Sequence, residues 1–158
     1  MIINQKCINN NRINYTFVKY HIPKNKNEKW LRNGDVLINS TGAGTLGRSA
    51  QYWGKSDIVT VDSHITIVRA DKELYKYYIG VLCQMLQPVF ENMQTGSTAQ
   101  TDLPRERLKA MSIGLPSEER LLMFNKMAEK TIIMINDNEK ELIKLEELKE
   151  ILVSQIVS

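Results

Sequence analysis

The spacing of apolar residues changes character along the chain, and the changes mark out its elements. Up to about residue 70, β-branched and aromatic residues come in short runs between polar and glycine-containing stretches. These runs predict strands at Ile13 to Tyr20, Asp35 to Asn39, Leu46 to Trp53, Ile58 to Val61 and Ile65 to Arg69. From Asp71 the period lengthens: Leu74, Tyr77, Tyr78, Val81, Leu82 and Met85 recur at helical spacing. Pro88 interrupts or kinks that helix, with a further turn over Val89 to Met93. Thr101 or Asp102 can then cap a short helix with Pro104 in its first turn. Ser112 to Leu115 reads as a last strand, and Pro116-Ser117 marks a boundary, with Glu118 and Glu119 opening the next helix. The pattern predicts an α+β fold, with a β-rich domain and short helices over residues 1–116 and one long helix over 117–158.

That closing helix is a strong signal, because neither glycine nor proline occurs from Ser117 to Ser158. At 1.5 Å per residue it would span roughly 60 Å. A heptad frame puts Leu121, Ala128, Ile135, Leu142, Lys149 and Ile156 at a, and Phe124, Thr131, Asn138, Leu145 and Leu152 at d. Most are apolar, and Asn138 and Lys149 are of the kind that sets register in coiled coils. A domain of this size cannot cover such a stripe along its length, so the distal half is expected to pair with another helix. The plainer alternative is a solvated helix that frays at its end.

Composition narrows the class. The 158 residues are 42% hydrophobic and 25% charged, enough for one ordinary core. There is no run of eighteen apolar residues and no apolar signal segment near Met1, which predicts a cytoplasmic protein that does not enter membranes. Cys7 and Cys83 are far apart, and with only His21 and His64 as histidines no zinc site is visible. Net charge is +3, but unevenly spread. Residues 1–70 carry ten lysines and arginines against four acids, and residues 112–158 carry six against nine. A basic globular part joined to an acidic helix fits a polyanion partner for the first and protein contact for the second.

Two polar stretches, GDVLINSTGAGTLGR and GSTAQTDLPRERL, carry the candidate chemistry. Gly42, Gly44 and Gly47 satisfy G-x-G-x-x-G, but a dinucleotide site needs a helix opening at the last glycine, and RSAQYWG is too short for one. The stretch instead predicts a hairpin, with its loop through Gly42 to Gly44 carrying Ser40, Thr41 and Thr45, and Arg48 just inside the return strand. Small hydroxyls and backbone N–H groups beside an arginine suit phosphate oxygens and base edges. A surface turn whose glycines only permit positive φ is the alternative. In the second stretch Ser97, Thr98, Gln100 and Thr101 precede Arg105, Arg107 and Lys109 on the short helix, where arginine suits phosphate clamping or guanine.

These motifs, in this order, are INQKCINNNRIN, KWLRNGDVLINSTGAGTLGR, VDSHITIV, GSTAQTDLPRERLKAMSIGLP and a closing helix. Together they resemble the target-recognition domain and spacer helix of type I restriction-modification specificity subunits. The resemblance spans essentially the whole chain. A full subunit of that family has two recognition domains and two antiparallel helices. This chain has one of each, so it looks like a half-subunit that dimerises through its helix. Family domains usually carry several dozen residues before the segment matching Ile2 to Asn14, so the domain is expected to be N-terminally shortened.

The resemblance implies a protein that does no chemistry. Each domain reads one half of a split sequence in double-stranded DNA. The helices fix the gap, and methyltransferase subunits, with restriction subunits beyond them, assemble around the dimer. The S-adenosylmethionine belongs to the methyltransferase, and this chain binds no cofactor or metal. Carried over residue by residue, the DNA-contacting set is Ser40, Thr41, Thr45, Arg48, Ser97, Thr98, Gln100, Thr101, Arg105 and Arg107. Gln100 has an amide suited to adenine, and Lys19, Lys24, Lys26 and Lys29 would add salt-sensitive attraction to phosphate. The helix-pairing set is Leu121, Phe124, Ala128, Ile135, Asn138, Leu142, Leu145, Leu152 and Ile156. His64 is a further candidate, weighed against a purely local hydrogen-bonding role. A different reading is a truncated, dimeric scaffold or competitor that binds methyltransferase subunits without reading DNA.

Overall fold

A computed structural model describes residues 1–20, 29–55, 58–93, 95 and 102–157. Its architecture is α+β, organised around one strand. β4 (Val36–Asn39) is buried along its whole length and lies between β5 (Ser49–Gln51) and β7 (Ile65–Val68), antiparallel to both. Successive side chains of a strand point to opposite faces. Leu37 therefore enters one core, with Ile3, Ile8, Leu31, Tyr52 and Ile65, while Val36 and Ile38 enter a second, with Leu46, Cys83, Phe90 and Leu103. Two-sided burial explains why Val36, Leu37 and Ile38 read as a continuous apolar run rather than an alternation.

The first core is closed by the N-terminal segment. β1 (Ile2–Ile3) pairs parallel to β6 (Thr60–Val61), and β2 (Ile8–Asn9) forms a hairpin with β3 (Arg12–Ile13). The second core is closed by α1 (Lys76–Met85) and α2 (Gln87–Asn92). Pro88 lies in the first turn of α2, so it opens a new helix rather than kinking the old one. Gln51 fastens β5 to α1, its Nε2 donating to the carbonyls of Gly34 (2.8 Å) and Lys76 (2.9 Å). Asp35 is 1% exposed at the start of β4, where its carboxylate accepts Nε and Nη2 of Arg69, both at 2.7 Å, and the Arg32 N–H at 2.8 Å. A carboxylate can be buried there because its charge is paired and its oxygens are bonded.

Several predicted strands are shorter than the apolar runs suggested. Ile13 to Tyr20 is not one strand: β3 ends at Ile13, and Asn14 Oδ1 accepts from Thr16 N (2.9 Å), drawing Tyr15–Phe17 into a 3-10 turn. Leu46 and Arg48 are held by turn bonds to Gly42 and Thr45, which shortens the return strand to Ser49–Gln51. Ser112 to Leu115 pairs with no strand among the described residues; it runs past α1, with the Gly114 carbonyl accepting Tyr78 Oη at 2.7 Å. The short helix α3 (Arg105–Lys109) begins after Pro104, and Asp102, instead of capping it, bridges to Thr41 and Thr95.

α4 (Glu118–Val157) is the long helix. Its first half lies on its own chain: Leu121 is 2% exposed, Phe124 meets Tyr78 edge-on, and Asn125 Nδ2 donates to the Leu74 carbonyl at 2.9 Å. Farther along, Arg12 Nε lies 3.2 Å from Glu139 Oε1. The covered stripe runs through Leu121, Phe124, Asn125, Ala128, Ile132, Asn136 and Glu139, which is the 3.6 period of a straight helix. It therefore drifts off the heptad frame, and Ile132 takes the inward place assigned to Thr131. Leu121 and Phe124, expected to pair with another helix, are covered by this chain's own α1 region. From Lys140 to Ile156 every residue is exposed, Leu142, Leu145, Leu152 and Ile156 among them. Among the described residues, no helix is long and apolar enough to cross a membrane.

Burial raises the Cys83 thiol from 9.0 to about 11. The folded state thus holds a proton that the unfolded chain releases first as pH rises. Its stabilising effect is complete below pH 9 and is lost between pH 9 and about 11. Urea unfolding across that window is expected to show stability falling, and Cys83→Ala is expected to flatten the fall.

Candidate nucleic-acid interface

The predicted hairpin is present, and its turn is built by glycine. Gly42, Gly44 and Gly47 have φ of 103°, 73° and 83°. After Gly47 the chain enters β5, so no helix opens there to hold a pyrophosphate. Leu46 is buried in the second core under the turn, and a Cβ on Gly47 would come within 2.8 Å of the Glu91 backbone nitrogen. The turn is thereby seated directly on α2.

Asn39, fully buried at the end of β4, ties the turn to the N-terminal segment. Its Nδ2 donates to the carbonyls of Gln5 (3.0 Å) and Thr45 (3.1 Å). Thr41 Oγ1 then reaches Gln5 Oε1 at 3.2 Å and His64 Nδ1 at 2.8 Å, and Asp62 Oδ1 accepts from the His64 N–H at 3.0 Å. Arg48 Nη1 donates to Asn9 Oδ1 at 3.3 Å, which places the β2–β3 hairpin beside the turn.

The second polar stretch arrives at the same place. Leu103 N donates to the Ser40 carbonyl at 2.8 Å, and Thr41 and Asp102 are bridged. Leu103 is 2% exposed, so its side chain anchors the stretch in the second core. Segments some sixty residues apart in sequence are thus joined at Ser40-Thr41 and Asp102-Leu103.

The candidate residues divide by what they already hold. Ser40 is buried, its Oγ bonded to Thr66 Oγ1, so it supports the site rather than facing out. Thr45 Oγ1 donates within the turn to the Thr41 and Gly42 carbonyls, at 3.3 Å each. Thr41 is half-buried among its partners, and Arg48 is half-buried against Asn9. Arg107 is exposed but donates to the Met93 carbonyl at 3.0 Å, beyond the end of α2. Arg105, the first residue of α3, is exposed and has no hydrogen-bond or ion-pair partner among the described residues. Lys19 and Lys29 are exposed on chain held by backbone bonds, Lys19 to Ile2 and Lys29 through its carbonyl to Thr60 Oγ1. Lys24, Lys26, Ser97, Thr98, Gln100 and Thr101 lie outside the described residues.

Sequence reasoning missed Gln5, Asn9 and the positive-φ pair Asn10-Asn11. The signal was present: three asparagines between Ile8 and Arg12 are a two-residue turn between paired strands. Electrostatically the joined segments are mixed, since they carry Arg12, Arg48 and Arg105 together with Asp62 and Asp102. Such a face suits base edges and selected phosphates better than dense phosphate packing. Among the described residues, no group of three or more His, Cys, Asp or Glu could hold a metal ion. No protein-family model matches the chain, and no curated protein matches it.

Two glycines separate conformation from packing. A Cβ on Gly44 meets nothing within 4 Å, so Gly44→Ala is expected to cost only the left-handed backbone penalty, about 1–2 kcal/mol. Gly47→Ala adds collision with Glu91 and is expected to cost about 3 kcal/mol or more. Chemical denaturation of the two variants measures the difference.

Proposed function

We propose that the chain reads DNA as a half specificity subunit of a type I restriction-modification system and directs methyltransferase and restriction subunits to a bipartite site. The observation that carries this reading is the junction of the two polar stretches at Ser40-Thr41 and Asp102-Leu103. Neither motif alone identifies a binding surface. Joined, and flanked by the β2–β3 hairpin, His64, Arg48 and Arg105, they make one continuous polar surface on a rigid two-core base. The proposed role is nonenzymatic: Thr41 Oγ1 does lie 2.8 Å from His64 Nδ1, but Asp62 accepts from the His64 backbone N–H and not from its ring, so it does not orient that imidazole as a general base.

The exposed length of α4 supplies the second half of the proposal. Leu142, Leu145, Leu152 and Ile156 continue the heptad frame beyond the stretch covered by the domain, and Ile135 is exposed on the side of that stretch. Two copies joined there would present two reading surfaces related by a two-fold axis, and such a dimer calls for a two-fold repeat in its site. The methyltransferase partner would bring the S-adenosylmethionine. A dimeric scaffold that captures methyltransferase subunits without reading DNA is favoured by the same exposed stripe, and DNA binding separates the two readings.

Light scattering and fluorescence anisotropy with a duplex test both halves. The full chain is expected to have the mass of two copies and an affinity for duplex DNA that falls steeply with salt. A chain ending at Lys140, which keeps the Arg12–Glu139 contact, is expected to be a monomer that binds DNA more weakly. Dimers with no salt-dependent DNA affinity would leave the scaffold; monomers in both forms would overturn the pairing.

A further inference from the structure

The β2–β3 hairpin is set in the face proposed above to read DNA, and its tip is chemically distinctive. Register pairs Ile8 with Ile13 and Asn9 with Arg12, leaving Asn10 and Asn11 as a two-residue loop. Their φ values of 49° and 58° are both positive, as a type I′ turn requires. Ile8 is fully buried in the first core, and the Asn14 N–H donates to the Cys7 carbonyl at 2.7 Å, so the base of the hairpin is fixed. Asn9 and Arg12 hold its sides, through Arg48 on one and Glu139 on the other.

The three asparagines therefore have different roles. Asn9 spends its side-chain oxygen on Arg48. Asn10 and Asn11 are exposed at the tip, and neither amide has a hydrogen-bond partner among the described residues. Asparagine tolerates the positive φ of a type I′ turn and glycine adopts it freely, so the turn can form without these amides. They are two adjacent donor-acceptor groups on a narrow, braced, two-stranded ribbon.

We infer that Asn10 and Asn11 are base-reading residues, with the hairpin entering the major groove and its amides recognising adenine. This rests on the DNA-reading function proposed above. A two-stranded ribbon fits the major groove, and an asparagine amide makes a bidentate pair with adenine, accepting from N6 and donating to N7. Arg48, at the side of the hairpin, would meet the flanking phosphate or a guanine. The ligand is thus duplex DNA whose half-site contains adenine under the tip.

Selection from a pool of duplexes with randomised central base pairs tests the inference on the full chain. The double variant Asn10→Gly with Asn11→Gly keeps the turn and removes both amides, and its thermal unfolding is compared with the parent to show that the hairpin stands. The parent is expected to enrich sites with fixed adenines. The variant is expected to lose preference at one or two of those positions by about tenfold or more each, with the salt dependence of binding unchanged. A variant that enriches the same sites overturns the role of the tip while leaving DNA reading intact. A parent that retains no duplex in a salt-dependent way overturns both.

Discussion

Everything in the domain depends on burying β4 from both sides. Three of its four residues, Val36, Leu37 and Ile38, feed two separate cores, so the strand cannot slip by one residue without exchanging Leu37 for Val36 and Ile38. Its ends are fixed as firmly as its middle. Asp35 is locked to Arg69, and Asn39 to the Gln5 and Thr45 carbonyls. With the strand immobilised, the residues just past its end, Ser40 and Thr41, have a defined position, and they are where the polar surface is assembled.

The site is accordingly a consequence of packing. Leu46 and Leu103 are the apolar feet of the two polar stretches, both planted in the second core, and Ile8 is the foot of the hairpin in the first. In each case one buried side chain, with a few backbone bonds, fixes the chain where the polar segment meets the core. The surface can then be polar without being loose, which recognition of base edges requires. The same logic relates the helix to the domain: α4 borrows Leu121, Phe124 and the Arg12–Glu139 contact for anchorage, and projects its distal apolar stripe away from the domain.

Much of this was legible in the sequence, and the failures have identifiable causes. The hairpin at Asp35 to Trp53, the helix after Asp71 and the long closing helix follow from period and from glycine and proline punctuation. The strand expected at Ile13 to Tyr20 failed because the Asn14 side chain offers the backbone a local bond that competes with sheet pairing. The segment expected as a strand at Ser112 to Leu115 pairs with no strand among the described residues and instead runs past α1, where the Gly114 carbonyl accepts from Tyr78. The heptad frame misplaced the inward face at Thr131 because a helix lying on a domain keeps its 3.6 period, whereas the frame assumes supercoiling. Ser40 and Arg107 read as free surface groups; the former is buried and the latter already holds the Met93 carbonyl. No single-sequence pattern states which hydroxyl or guanidinium the fold will occupy. The Asn10-Asn11 turn, by contrast, was open to inspection in the strand-turn-strand spacing.

The central claim is that segments distant in sequence form one DNA-contacting surface, and amide hydrogen exchange with and without duplex DNA tests it most directly. The account predicts that added duplex slows exchange together in peptides covering Gln5 to Asn11, Ser40 to Arg48 and Asp102 to Arg107, while the exposed end of α4 beyond Lys140 is unchanged by DNA. Protection confined to α4, or absent from all three segments, would contradict it.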